Sequence, residues 1–252
     1  MDLTAPFPSR TLLRGAGFAA RILILIGVLK AITPATPIVR LGAPQTVHTE
    51  QPAVCVHTRL TDEVEEWKIQ RTASMVREMG AATIVEFFPW PYIEDKRGEY
   101  NWEHPDRILR HAENQGLTVI ARLGLVPHWA RPPIDEKVTT FTYLPEEYFE
   151  AFADFVRAFA ARYRGRVDQI IIWNEPNLSI EWGDRPVDPA AYTRLLRLAY
   201  TAAHEGNPTI TVLGGALAPT TEPEHSPSGM SDIVFLERMY QAGAAGTFDA
   251  LA

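Results

Sequence analysis

The chain has 252 residues, 46% of them apolar and 22% charged, with a net charge of −7 and a single cysteine. That is the length of one (β/α)8 barrel of about 250 residues, with enough apolar material for a large core. The acidic balance argues against nucleic acid as a partner, and one cysteine, Cys55, excludes an internal disulfide and any cysteine-rich metal site.

At the N-terminus, Arg10, Arg14 and Arg21 precede the apolar stretch 22–29, and Thr33-Pro34-Ala35 supplies small residues beyond it. This is the order of a signal peptide, so residues 1–32 are expected to export the chain or to anchor it at a membrane, outside the cytoplasm. Lys30 and Pro34 argue against a full spanning helix of about 20 residues. The competing reading is a tail with no targeting role. Residues 33–52, with four prolines (Pro34, Pro37, Pro44 and Pro52), read as a linker into a folded part over 53–252.

From residue 53 onward, strand-like and helix-like segments alternate, the signature of an α/β fold with a parallel sheet wrapped by helices. Strands are expected over 53–57, 83–88, 117–123, 168–173 and 210–213, with a sixth beginning at 248–251. Helices are expected over 61–79, 104–115, 146–163 and 232–242, with one more carrying Tyr192, Leu195, Leu196 and Ala199 on its inward face. Cys55 lies in the apolar run 53–56 and reads as a buried, inert thiol. Phe149, Phe152, Val156, Phe159 and Tyr163 recur at helical spacing and read as core. Five complete units take about 195 residues, so eight would need roughly 300. The expectation is an incomplete TIM barrel of about five and a half βα units, truncated at its C-terminus. A doubly wound sheet would need a phosphate loop, for which Gly214-Gly215 is the nearest and a weak candidate.

The most informative run is Ile170-Ile171-Ile172-Trp173-Asn174-Glu175-Pro176-Asn177. Three β-branched residues make a strand buried on both faces, and Pro176 ends its hydrogen-bond ladder. Barrel enzymes keep their chemistry at the C-terminal tips of the strands, where Asn174 and Glu175 fall. A lone Glu at a strand end is more often solvated; Glu175 with its neighbours is read as catalytic.

This run resembles the Asn-Glu-Pro hallmark of clan A glycoside hydrolases, the retaining (β/α)8 glycosidases. The wider run 172–178 with Trp182 resembles family 39, the β-xylosidase and α-L-iduronidase group. Trp90-Pro91-Tyr92-Ile93-Glu94, Gly98-Glu99-Tyr100-Asn101-Trp102 and Pro127-His128-Trp129-Ala130 follow strands two and three, where such enzymes build their cleft. The resemblance implies Glu175 as general acid/base and Asn174 as partner of a sugar 2-hydroxyl. It also implies a raised pKa for the acid and a second Glu, the nucleophile, after a seventh strand. No residue of this chain takes that last role. Glu86 stands on strand two, where many clan members carry Arg. Glu86, Glu222, Glu224 and Asp249 read as binding or solvated residues.

Trp90, Trp129, His128 and His57 are the further substrate-binding candidates, the aromatics by stacking on sugar faces. Against this, each Trp can simply plug the barrel's top layer, and each His can be a structural hydrogen bonder. Trp182 is a weak candidate, and Tyr100 and Trp102 read as packing. Neither a metal nor an organic cofactor is indicated, since two carboxylates suffice for glycoside hydrolysis and no His-x3-His spacing occurs. The expected partner is an oligosaccharide or polysaccharide. The alternative is a catalytically inactive carbohydrate-binding barrel at the cell surface. An aldolase or isomerase would want a strand-end Lys or a ligand cluster, which the strand tips do not offer.

Overall fold

The computed structural model describes residues 10–32, 39–131 and 141–252. The chain divides into two compact units, Met1–Arg40 and Leu41–Ala252. The first contains helix α1, Arg10–Ile32, along which Phe18, Leu23, Ile24 and Leu25 are exposed. No helix among the described residues is long and apolar enough to cross a membrane. The expected cleavage motif at 33–35, residues 1–9 of the expected leader and residues 33–38 of the expected linker lie outside the described residues.

The second unit is built on one sheet of six parallel strands in sequence order. The strands are β1 (Cys55–His57), β2 (Thr83–Pro89), β3 (Thr118–Gly124), β4 (Gln169–Ile172), β5 (Thr211–Gly214) and β6 (Ala250–Leu251). Each pairs with its neighbour in sequence, for example Val85 opposite Ile120 and Leu123 opposite Ile172. The connecting helices are α2 (Glu66–Glu78), the short α3 (Trp90–Ile93), α4 (Glu103–Asn114), α5 (Phe149–Arg162), α6 (Pro189–Gly206) and α7 (Asp232–Gln241). This is the incomplete (β/α)8 architecture expected from the alternation. Strand β5 ends on Gly214, where a Cβ would lie 2.9 Å from the Phe248 ring, so this glycine serves packing and no phosphate loop is needed to explain it.

Three local expectations are corrected. Cys55 is exposed, because β1 is an edge strand paired only with β2 and its apolar residues have no second neighbour to cover them. Residues 41–52 belong to the folded unit. Asn114 Nδ2 donates to Gly42 O at 3.0 Å, and Gln45 N donates to Asn114 O at 2.7 Å, tying this segment to the end of α4. Gly116 is required there twice over: its φ is +71°, and a Cβ would sit 2.7 Å from Gln45 O. The helix expected from residue 61 begins at Glu66, preceded by a 3-10 turn over Leu60–Asp62.

That turn is held by Glu86, whose side chain is fully buried. Its carboxylate accepts from Thr58 Oγ1 at 2.5 Å, from Leu60 N at 3.0 Å and from Thr61 N at 2.9 Å. From the other side, His104 Nε2 lies 3.2 Å from Leu60 O and 3.1 Å from Thr61 O. Glu86 is therefore neither a ligand-binding nor a solvated residue; its burial is compensated by fixing the loop after β1. Burial raises its pKa, and the bonds from Thr58, Leu60 and Thr61 pull it partly back.

The core lies between the sheet and the helices, with Ile84, Ala121, Ile170, Ile172 and Val212 from the strands. Against them α5 turns an aromatic face. Phe155 stacks on Trp90 at 5.9 Å, Phe152 meets Trp173 at 5.7 Å, and Tyr163 meets Trp102 at 5.7 Å. Helices α5 and α6 approach so closely that a Cβ on Gly206 would lie 2.4 Å from Arg157 O.

Two stability measurements check this account. Gly206→Ala should cost about 1–3 kcal/mol in urea unfolding, because backbone has to move. Glu86→Gln should cost about 2 kcal/mol at neutral pH, since an amide N–H would face donors. A carboxyl whose folded pKa is raised makes the native state bind more protons than the unfolded one, so wild-type stability falls as pH rises from the ordinary value of 4.5. The gap between the two proteins should therefore narrow with rising pH through that window.

Candidate active site

The C-terminal end of β4 leaves the sheet through an unusual backbone path. Trp173 has φ of 73° and Glu175 of 42°, while Leu125 after β3 and Ala216 after β5 have 63° and 45°. Non-glycine residues in this region cost about 1–2 kcal/mol each, and such strain gathers at functional sites. Here it is held on every side. Trp173 N donates to Leu123 O at 2.8 Å and Glu175 N to Ala216 O at 3.0 Å. Trp173 Nε1 donates to Glu181 O at 2.7 Å. The fully buried Asn177 donates from Nδ2 to Ala218 O at 2.9 Å and to Met230 O at 3.0 Å, and its Oδ1 accepts from Ala218 N at 2.8 Å. Just below, Tyr192 donates its hydroxyl to Ile172 O at 2.8 Å and accepts from Gly215 N at 3.0 Å, clamping β4 to β5. Burial pushes the Tyr192 pKa up, so this hydroxyl keeps its proton.

Beside this turn lies a cavity of about 310 Å³. Strand β1 contributes its last residue, His57, the loop after it Thr58 and Thr61, strand β2 contributes Phe87, and β3 contributes Arg122. The β4 end supplies Trp173, Asn174 and, from the returning loop, Glu181. Arg122 Nη1 donates to Asn174 Oδ1 at 2.7 Å, and its guanidinium lies 4.8 Å from the Phe87 ring. Burial lowers the Arg122 pKa, opposed by the charges of Glu181, Glu175 and Glu86. Glu181 is half-buried, and burial raises its pKa. The Asn174 hydrogen bond and the Arg122 charge oppose that rise, and the Glu175 charge adds to it. Glu175 itself is half-buried next to Asn174, close enough for its charge to act on both Glu181 and Arg122.

The residues singled out from sequence separate into two groups. Asn174 and the exposed His57 line this cavity, whereas Glu175, half-buried and next in sequence to Asn174, is not among its lining residues. Trp90, His128 and Trp129 do not line it. Trp90 is fully buried and donates from Nε1 to Glu94 Oε2 at 2.6 Å, because α3 starts immediately after β2 and turns the ring onto the aromatics of α5. Trp90 is thus a core residue and no sugar platform. His128 is exposed in a 3-10 turn after β3. Trp129 is half-buried, edge-on to Trp90 at 5.3 Å, with Nε1 bonded to Glu94 O at 3.0 Å. Trp182 is buried at 6.1 Å from both Trp173 and Tyr192. The remaining carboxylates have structural partners: Glu222 accepts from Ser226, Glu224 pairs with Arg238 at 2.7 Å, and Asp249 accepts from Val212 N at 2.7 Å. Among the described residues no group of three or more His, Cys, Asp or Glu side chains is placed to hold a metal.

Sequence reasoning missed Arg122 and Glu181. The first had a visible signal, an arginine near the end of the strand Thr118–Gly124. The second had none, since nothing in residues 178–182 says that the loop folds back to the cavity.

No protein-family model matches the chain, and no curated protein matches it. Solved structures do. A family 39 glycoside hydrolase from Bacteroides cellulosilyticus WH2 is 23% identical, with a TM-score of 0.53, over 69% of this chain and 34% of that one. A monomeric beta-xylosidase from Caulobacter crescentus CB15 is 22% identical, with a TM-score of 0.55, over 81% and 41%. A GH39 enzyme from Xanthomonas axonopodis pv. citri is 20% identical, with a TM-score of 0.55, over 79% and 40%. The chain thus spans 34–41% of the length of these structures. At such identities the likeness is one of fold, and the fold it establishes is the partial (β/α)8 barrel described above.

Proposed function

We propose that this protein is a glycoside hydrolase of the family 39 type, cleaving O-glycosidic bonds by a retaining double displacement with Glu175 as general acid/base. One observation carries the reading. Asn174 and Glu175 stand at the C-terminal end of β4 in a strained, fully braced turn, beside a cavity with a second carboxylate in electrostatic reach. The fold shared with family 39 enzymes supports it.

In this reading Glu175 protonates the leaving glycosidic oxygen, then takes a proton from the water that frees the sugar. Asn174 donates a hydrogen bond to the 2-hydroxyl, a contact that tightens as oxocarbenium character develops. Phe87 and Trp173 give the cavity its apolar surface, and His57, Asn174, Arg122 and Glu181 its polar groups, the mixture a sugar ring requires. The substrate is a β-linked oligosaccharide of xyloside type. The nucleophile, about 5–5.5 Å from the acid, belongs to a seventh strand, and no residue of β1–β6 is assigned to it. The basic-then-apolar order of residues 10–29 supports export or membrane anchoring, where such substrates occur.

The assay needs a chain that includes the seventh strand. Glu175→Gln should lower kcat/KM on unactivated xylosides by about 10²–10⁴-fold. Glu175→Ala should retain cleavage of aryl xylosides with good leaving groups, and azide should accelerate it. Wild-type rates for Glu175→Ala on xylan fragments would overturn the assignment and leave a carbohydrate-binding barrel without turnover.

A further inference from the structure

Strand β3 carries a charge where its neighbours in the sheet carry apolar side chains. In the parallel register Arg122 lies between Phe87 of β2 and Ile171 of β4, and residues paired this way share one face of the sheet. Its guanidinium is packed 4.8 Å from the Phe87 ring, and its Nε is buried without a hydrogen-bond partner. Burial there disfavours the charge. Two residues further along the same face stands Gly124, where a Cβ would meet the Phe87 ring at 3.6 Å and Trp173 Cα at 3.8 Å. Gly124 thus puts no side chain in the way, and Arg122 Nη1 reaches Asn174 Oδ1 beyond the end of β4 at 2.7 Å.

We propose that Arg122 is a positioning residue for Asn174: by holding Oδ1 it fixes the plane and the sense of the amide, so that Asn174 meets a sugar hydroxyl as a hydrogen-bond donor. This rests on the glycosidase reading. A guanidinium can only donate, so the Asn174 atom 2.7 Å from Nη1 is the carbonyl oxygen and not the amide nitrogen. An amide held by its oxygen presents its N–H groups at the other end, and a hydroxyl oxygen is a group they can meet. The terminal torsion of an asparagine is broad and roughly two-fold. Without Arg122 the amide could turn over and offer its carbonyl to the ligand, and reorganising it would weaken the contact as charge develops. A bond from a charged donor holds the oxygen more firmly than a neutral one would, and it polarises the amide so that its N–H groups donate better. A residue kept at this position for packing alone would be apolar, as Phe87 and Ile171 beside it are.

The test uses the full chain and reads binding and stability, with no turnover required. Methyl β-D-xylopyranoside and its 2-deoxy analogue are titrated by NMR. The wild-type protein should prefer the parent sugar by about tenfold, the value of one well-placed hydrogen bond. Arg122→Met keeps an unbranched chain against Phe87 and removes the charge. It should reduce the preference to about twofold, with affinity for the 2-deoxy analogue within about twofold of wild type. Its urea midpoint should be no lower than that of wild type, since a partly desolvated charge is gone. Arg122→Lys keeps a cationic donor without the planar fork and should retain about a fourfold preference, which also serves should the methionine variant not fold. Asn174→Ala, alone or combined with Arg122→Met, should remove the preference altogether. A preference in Arg122→Met equal to wild type overturns the positioning role. An equal loss of affinity for both sugars also overturns it and makes Arg122 a sugar ligand in its own right. A lost preference together with a lower urea midpoint overturns it in favour of a structural role. A wild-type protein that binds both sugars alike overturns it and leaves the sugar cavity standing. If the wild type binds neither sugar, the glycosidase reading falls and the positioning role falls with it.

Discussion

The structure of this site depends on a buried amide. Asn177 sits where β4 has run out of ladder partners, and its side chain does for the rim what the strand does for the sheet. It donates to two carbonyls, of Ala218 and Met230, and accepts from Ala218 N, while its own carbonyl receives Met230 N. Those backbone groups come from the long connection after β5, which is also tied to the loop after β4 by a bridge between Leu178 and Gly229 and by Ser179 N donating to Ser228 O at 2.9 Å. Without Asn177, several polar groups would be left unpaired inside the protein at a cost of about 1–3 kcal/mol each. With it, the left-handed conformations of Trp173 and Glu175 two to four residues earlier are held against relaxation.

A second constraint is charge. Arg122 is half-buried and its Nε has no hydrogen-bond partner, so the cost of desolvating it is met by the field of three acids and by one bond to Asn174. Glu86 holds the opposite wall by capturing the amides of Leu60 and Thr61. The cavity is thus framed by groups whose positions are fixed by hydrogen bonds deeper in the protein. A site that has to stabilise changing charge is best built this way, since little reorganisation remains to be done during reaction.

The strand count and the alternation of strands with the longer helices were legible in the sequence, because each rests on a local pattern, alternation or periodicity; the short α3 over Trp90–Ile93 was not. What was not legible depends on which elements come to lie side by side. Cys55 looks buried by composition and is exposed because β1 has one neighbour. Residues 41–52 look like a linker by their prolines and are pinned by Asn114, about 70 residues away. Trp90 looks like a cleft aromatic and is captured by α5. Glu181 is invisible until the loop is seen to close on Trp173.

The fate of the tryptophans bears on how the cavity would recognise a ligand. Of the six, Trp90, Trp173 and Trp182 are fully buried, and Trp67 is exposed on α2. Trp102 and Trp129 pack on Tyr163 and Trp90. Of these only Trp173 touches the cavity, and it is nearly closed off from solvent. The other ring there, Phe87, already carries Arg122 on one face. Broad stacking platforms are therefore absent from this cavity among the described residues, and apolar contact alone would orient a sugar poorly. Directional bonding in this cavity falls instead to its polar groups, among them Asn174, whose amide oxygen is held by Arg122 Nη1 at 2.7 Å.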